Sequence, residues 1–162
     1  MVMFEELRPI LALLSSLGCG LMAGVFFAFS AFVMKAFGRL RPAEGMAAMQ
    51  SVNRAVINPI FLGVFLGTAV ACLLGLADSF MQWRAPGAIY VLIGCLFYLI
   101  GTFGMTMFFN VPLNNTLAAV EPTADDSGKL WADYQTRWTA WNHVRTVASL
   151  IASGLFAFAL HS

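Results

Sequence analysis

Long apolar segments alternate along this chain with shorter polar connections that carry most of its charge. An α-helix needs about 20 mainly apolar residues to cross the hydrocarbon core of a bilayer, and four of the apolar segments are that long. They cover residues 9–34, 57–77, 87–109 and 138–160. The pattern predicts an all-α integral membrane protein in which residues 1–162 form a single antiparallel four-helix bundle.

The composition agrees with a membrane protein and excludes one class of partner. The chain is 60% hydrophobic and 10% charged, whereas about 25% of the residues of a soluble domain are charged. Its net charge of +1 includes no basic run, so nucleic acid is excluded as a partner. Cys19, Cys72 and Cys95 lie in apolar segments without zinc-site spacing, and we expect them to pack as small apolar side chains.

Small residues recur at four-residue spacing in the first two spans. The first span has Gly20, Gly24 and Ala28, and the second has Gly63, Gly67, Ala71 and Gly75. Such rows let helix backbones approach closely in lipid. They predict tight helix packing and a homo-oligomer, most simply a dimer, that associates through one of the two stripes.

Basic residues are distributed unevenly between the two ends of the predicted spans. Of the nine Lys and Arg residues, only Arg8 and Arg84 fall on the side of the termini. The other seven are Lys35, Arg39, Arg41, Arg54, Lys129, Arg137 and Arg145. Because basic residues favour the cytoplasmic side, we expect both long connections in the cytoplasm and both termini outside, in a bacterial inner membrane.

With this topology, polar residues from all four spans fall at the cytoplasmic face. They are Ser30, Asn53, Asn58, Thr106, Asn110, Asn114, Trp138, Trp141, Asn142, His143 and Arg145. Polar side chains near the hydrocarbon are costly, so they usually face the bundle interior, where they pair with one another or bind a ligand. The pattern predicts one polar pocket at this face.

Seven of these residues also have a purely structural interpretation. Asn110 and Asn114, beside Pro112, are residue types that end helices, and the asparagines at 53 and 58 are good helix caps. Trp138 and Trp141 are typical of an aromatic belt at the membrane interface. The Arg145 side chain has the length to reach lipid headgroups.

His143 is the histidine that falls within an apolar span. A neutral imidazole there can act as a general base, donate a hydrogen bond, or bind a metal or haem iron. Without neighbouring carboxylates or cysteines it makes a poor zinc or copper site. One hypothesis is therefore a haem b protein with His143 as axial ligand, in which Trp138, Trp141, Asn53 and Asn58 are the other cofactor-binding candidates.

Several motifs together resemble the anthrone oxygenase-like family of small four-helix membrane proteins, in order along nearly the whole chain. The motifs are GVFFAFSAFVM at 24–34, AMQ at 48–50 with Asn53 and Asn58-Pro59, NVPLNN at 110–115, and WTAWNHVR at 138–145. The resemblance implies a membrane oxygenase that inserts one atom of O₂ into an activated aromatic carbon without added metal or flavin.

The resemblance also implies a role for each residue of the predicted pocket. His143 would be the base or proton relay, Asn110, Asn114 and Asn142 would donate hydrogen bonds to an oxyanion, and Arg145 would be its electrostatic partner. Trp138 and Trp141 would be the flat walls of a pocket for a hydrophobic small molecule. The non-catalytic alternative is a module that binds or transports a lipid or small molecule, in which the asparagines only satisfy the backbone.

Overall fold

The computed structural model describes residues 2–162, with side chains from Arg8 onward, and the regular structure in this part of the chain is helical. The helices are α1 (Val2–Ala28), α2 (Met34–Phe37), α3 (Pro42–Ala55), α4 (Pro59–Met81), α5 (Ala88–Leu96), α6 (Val111–Ala118) and α7 (Ser127–Ala159). A π-helical segment, Phe29–Val33, joins α1 to α2, and two more, Phe97–Gly104 and Thr106–Asn110, join α5 to α6.

Three helices are long and apolar enough to cross a membrane, namely Arg8–Phe37, Pro59–Met81 and Ala88–Ala118. They correspond to the first three predicted spans, and each of them ends three or more residues beyond the predicted end. The predicted fourth span, 138–160, lies in α7 except for its last residue, but it is not among the three. Its hydropathy is low because Asn142, His143 and Arg145 interrupt the apolar sequence.

The third long helix does not stop at residue 109, so the prediction that the NVPLNN motif ends it is wrong. The helix continues through Asn110 and Pro112 to Ala118. Pro112 stands in the first turn of α6, directly after a π-helical segment. Proline is tolerated in the first turn of a helix, where its missing N–H would have no helical partner.

Two helix starts follow local rules. The Asn58 side chain caps α4, because its Oδ1 accepts hydrogen bonds of 3.0 Å from the backbone N–H groups of Ile60 and Phe61. Pro42 opens the short helix α3, as its position predicts. The structural interpretation of Asn58 is therefore confirmed, and this use of its oxygen is not that of a cofactor ligand.

The helices pack so that α1 contacts both α4 and α7, and α5 contacts the same two helices. Arg8 donates a hydrogen bond of 2.8 Å to Asp78, which ties the start of the first long helix to the end of the second. The three cysteines are fully buried and unpaired within one apolar core, as expected for small apolar side chains. A second core around Met46, Met49 and Leu117 lies against the first half of α7.

The small-residue stripes are only partly used inside the chain. Gly75 is packed, because a side chain on it would come within 3.3 Å of Cys95 and Val91. Gly24, Gly63 and Gly67 face open space instead. Association of two chains through one of these stripes stays a prediction.

Gly18 marks the closest approach of α1 to α4, and we expect Gly18→Ala to destabilise the fold. A Cβ atom at this position would lie 2.0 Å from the Thr68 hydroxyl oxygen and 3.1 Å from its Cβ, so rotation of Thr68 does not relieve the clash. Overpacking of this kind costs about 1–3 kcal/mol. Denaturant titration of the detergent-solubilised protein measures the loss.

Gly24→Ala is the matched control in the same helix. A Cβ atom at this position has no neighbour within 4 Å, and alanine is the better helix former by about 1 kcal/mol. We expect unchanged or higher stability. Equal destabilisation by both substitutions would contradict the close contact between α1 and α4 at Gly18.

Candidate functional site

One face of α7 carries buried polar side chains into the contact with α1. Asn142 is fully buried, and its Nδ2 donates to the Phe26 carbonyl and to the Ser30 hydroxyl, both at 2.7 Å. Thr146, one turn later, lies with its hydroxyl 3.3 Å from that of Ser30. The amide of Asn142 is therefore fixed between the two helices, with its Oδ1 facing Arg145.

Arg145 is a buried cation that has no carboxylate partner among the described side chains. The residue is only 4% exposed, and none of the three ion pairs formed by the described side chains includes it. Its Nη2 donates to Asn142 Oδ1 at 2.7 Å and its Nη1 to Thr106 Oγ1 at 3.2 Å, whereas Nε has no partner. The guanidinium carbon lies 4.3 Å from the ring centroid of Phe26 and 5.1 Å from that of Trp138.

Such an arrangement is costly and therefore informative. Transfer of a charge out of water costs several kcal/mol unless a counter-charge and hydrogen bonds compensate for it. Here the compensation comes from two neutral oxygens and two aromatic faces, which attract a cation weakly. The site is electrostatically complementary to an anion.

The π-helical segments supply polar groups around this cation. Ser30 lies in the segment Phe29–Val33, and Thr106 and Asn110 lie in Thr106–Asn110. A π-helical turn shifts the register of the following side chains, and such turns are frequent at functional sites. Asn110 is 1% exposed. Its Nδ2 donates to the Trp138 carbonyl at 3.2 Å, and its Oδ1 has no partner.

A second hydrogen-bonded group, on the side of the predicted cytoplasmic connection, joins α6 to α7. Asn114 Oδ1 accepts two hydrogen bonds of 2.8 Å, from the Tyr134 hydroxyl and from Trp138 Nε1. Burial raises the pKa of Tyr134, so its hydroxyl stays protonated and remains a donor at neutral pH. Because Trp138 contacts both groups, it connects this Asn114 group to the Arg145 site.

A cleft with a volume of about 210 Å³ opens beside these residues, between α7 and the run that ends in α6. Its lining residues include Tyr134, Leu113 and Arg137. Phe109 and Trp141 also line it, and their rings stack with centroids 3.8 Å apart. The cleft is mainly apolar and aromatic, with the Arg137–Asp133 ion pair at one edge. Arg145, Asn110 and Asn142 are not among the residues that line it.

The structure brings some of the predicted site residues together and leaves others apart. Asn110, Asn142, Arg145 and Trp138 come together in one buried site, and Asn114 is hydrogen-bonded to Trp138. Trp141 lines the cleft and stacks on Phe109. Asn53 lies on α3, next to Tyr134, with a buried Nδ2 that has no partner. Asn58 is occupied as the helix cap of α4.

The structure does not bring His143 into this site. His143 is exposed on α7, because each residue turns a helix by about 100° and its neighbour Asn142 faces the interior. Within the described residues, no group of three His, Cys, Asp or Glu side chains is placed to hold a metal ion. A haem on His143 would have to lie on the outer surface of α7.

Two contributors were absent from the predicted site. Phe26 supplies both a ring face for Arg145 and a carbonyl oxygen for Asn142. Tyr134 anchors Asn114 and lines the cleft. Helical spacing in the sequence could have identified Tyr134. Positions 134, 138, 142 and 145 recur at intervals of three or four residues, which places them on one helix face.

One known protein family matches most of this chain. The anthrone oxygenase family matches residues 46–155, a segment that includes Asn53, Asn110, Asn114, Tyr134, Asn142 and Arg145. No curated protein and no solved structure gives a match. Because the matched segment covers more than half of the sequence, the chain belongs to the anthrone oxygenase family.

Proposed function

We propose that this protein is an integral membrane oxygenase that oxidises a hydrophobic, anthrone-like aromatic substrate beside Arg145. The observation that carries the proposal is the buried guanidinium without a carboxylate partner. An electron-rich aromatic anion would supply the missing negative charge. Family membership supports the reaction class.

The proposed topology is an antiparallel bundle in which the second part of α7 is the fourth span. Three long helices already meet the length and hydropathy that a span requires, and α7 packs against two of them. Inside a bundle the polar face of α7 would be shielded from lipid, which is how such residues are tolerated in membranes. The site would then lie toward the cytoplasmic side of a bacterial inner membrane, with both termini outside.

The chemistry would use O₂ as the oxidant. Loss of the proton from the methylene carbon of an anthrone gives an enolate, whose oxygen would lie against Arg145 while the proton passes to water at the membrane interface. The carbanion carbon gives electrons to O₂ and forms a C–O bond, and the peroxide anion takes a proton back from water. The resulting hydroperoxide loses water as its O–O bond breaks, so anthrone and O₂ yield anthraquinone and water.

The protein's contribution would be electrostatic. A fixed cation and fixed dipoles in a dry site stabilise a developing anion far more than the same groups do in water. Arg145 is held by Asn142 and Thr106, so little reorganisation is needed when the enolate forms. His143 has no part in this mechanism.

The cleft would be the route of the substrate. Its volume of about 210 Å³ is below the roughly 300–1,000 Å³ of pockets that enclose drug-sized ligands. A tricyclic substrate would therefore protrude toward the lipid, on the side of Phe108, which is 76% exposed. Separation of the stacked Phe109 and Trp141 rings would let its oxygen edge reach Arg145.

Oxygen uptake by the detergent-purified protein with anthrone tests the proposal. We expect protein-dependent consumption of one O₂ per anthraquinone formed, above the uncatalysed rate in detergent alone. Under anaerobic conditions the conversion should stop. Binding of anthrone without any protein-dependent oxygen uptake would instead indicate a non-catalytic binding module.

A further inference from the structure

Two buried polar atoms of opposite hydrogen-bonding character have no partner at the Arg145 site. Asn110 Oδ1 can only accept a hydrogen bond, and Arg145 Nε–H can only donate one. Their residues are 1% and 4% exposed. Buried polar groups are rarely left unpaired, so the pair defines the pattern that a ligand would have to match.

The orientation of the Asn110 amide is fixed by its neighbour. Its nitrogen donates to the Trp138 carbonyl at 3.2 Å, and a flipped amide would place two oxygens against each other. The carbonyl oxygen Oδ1 is therefore the free atom. It requires a donor from the ligand, a role opposite to the oxyanion donor predicted for Asn110 from the family resemblance.

Asn110 and Arg145 belong to one local arrangement. Asn110 binds the backbone of Trp138, whose ring lies 5.1 Å from the Arg145 guanidinium carbon. Thr106 begins the π-helical segment that ends at Asn110, and it accepts the hydrogen bond from Arg145 Nη1. Asn110 and Arg145 are thus linked twice, through Trp138 and through Thr106.

We infer that Asn110 is a specificity-determining residue that binds a hydrogen-bond donor on the substrate, next to the oxygen that binds Arg145. This inference rests on the proposed function. The substrate edge would then carry a hydroxyl group beside a carbonyl or enolate oxygen. A substrate without the hydroxyl leaves Asn110 Oδ1 buried and unpaired, which weakens binding by about 10-fold to 100-fold.

Anaerobic binding of two matched probes tests the inference without turnover. The probes are 1,8-dihydroxyanthrone and anthrone, which share a ring system and differ in the hydroxyl groups beside the carbonyl. Quenching of tryptophan fluorescence gives both dissociation constants. We expect the wild-type protein to prefer the dihydroxy compound by at least 10-fold, and Asn110→Leu to reduce this preference to less than 3-fold.

Asn115→Leu is the control variant, because Asn115 is exposed on the same helix. This variant should keep the wild-type preference for the dihydroxy compound. Equal affinities of the wild-type protein for the two probes would overturn the inference, whether or not Asn110→Leu folds. A clear preference without oxygen uptake would support the binding role and contradict the oxygenase. Oxygen uptake with both compounds at equal kcat/KM would support the oxygenase and contradict the role of Asn110 in specificity.

Discussion

Replacement of Arg145 by methionine is expected to lower kcat/KM for anthrone oxidation by about 10²–10³-fold, the usual effect of removing one oxyanion-stabilising group. The variant should still fold. Methionine removes a buried charge whose transfer out of water is costly, and its side chain fills much of the same space. Oxygen uptake and anthraquinone absorbance measure activity, and denaturant titration measures folding.

Arg84→Met is the control for the loss of one positive charge. Arg84 is exposed in the connection between α4 and α5, so its replacement should leave kcat/KM unchanged. Arg145→Lys should recover only part of the activity, because an ammonium group cannot reproduce the planar array of donors. Full activity in Arg145→Met would show that the buried cation does not stabilise the reacting anion.

Asn142→Ala is expected to cost about 3 kcal/mol of unfolding free energy, a large effect for one polar side chain. The substitution removes the acceptor of Arg145 Nη2 and the donor to Ser30 and Phe26. A buried cation then loses one of its two hydrogen bonds, and the contact between α1 and α7 loses its central amide. Denaturant titration in detergent measures the change.

Asn115→Ala provides the comparison, since Asn115 is exposed on α6 and its loss should change stability by less than about 0.5 kcal/mol. Asn142→Ala combined with Arg145→Met should be more stable than Asn142→Ala alone, because the unpaired charge has been removed. If the free energy of unfolding of the double variant differs from that of the wild type by the sum of the two single effects, the two side chains are not coupled.

The hydrophobic pattern was sufficient to place three long helices and to indicate where polar residues meet. It did not predict that the third helix passes through Asn110 and Pro112, because the pattern carries no signal for the preceding π-helical segment. Proline in a regular helix interior would break it. At the start of α6 it is accommodated, and this continuation places Asn114 opposite Tyr134.

Residue type alone put His143 in the predicted pocket, whereas the structure leaves it exposed on α7. Histidine is the usual general base, but its position on α7 turns it away from the face shared by Asn142 and Arg145. Tyr134 lies outside the predicted site because it precedes the predicted span. Helical spacing was the better guide, since positions 134, 138, 142 and 145 follow one buried face.

The same polar face explains why the mean hydropathy of α7 is lower than that of the other long helices. Asn142 and Arg145 lower its hydropathy, although both are buried against α1 and the third helix. A scale that sums hydropathy over a window does not distinguish a polar residue facing lipid from one facing the protein. A buried polar face therefore lowers the mean hydropathy of its own helix.

Oxidation of anthrone under ¹⁸O₂ by the purified protein tests the central claim most directly. Because the uncatalysed reaction also takes oxygen from O₂, the informative quantity is the rate of labelled anthraquinone formation above that in protein-free detergent. We expect one ¹⁸O atom per product, at a protein-dependent rate that falls about 10²–10³-fold in Arg145→Met. A rate that is the same with and without protein, or the same in the wild type and Arg145→Met, would contradict the claim.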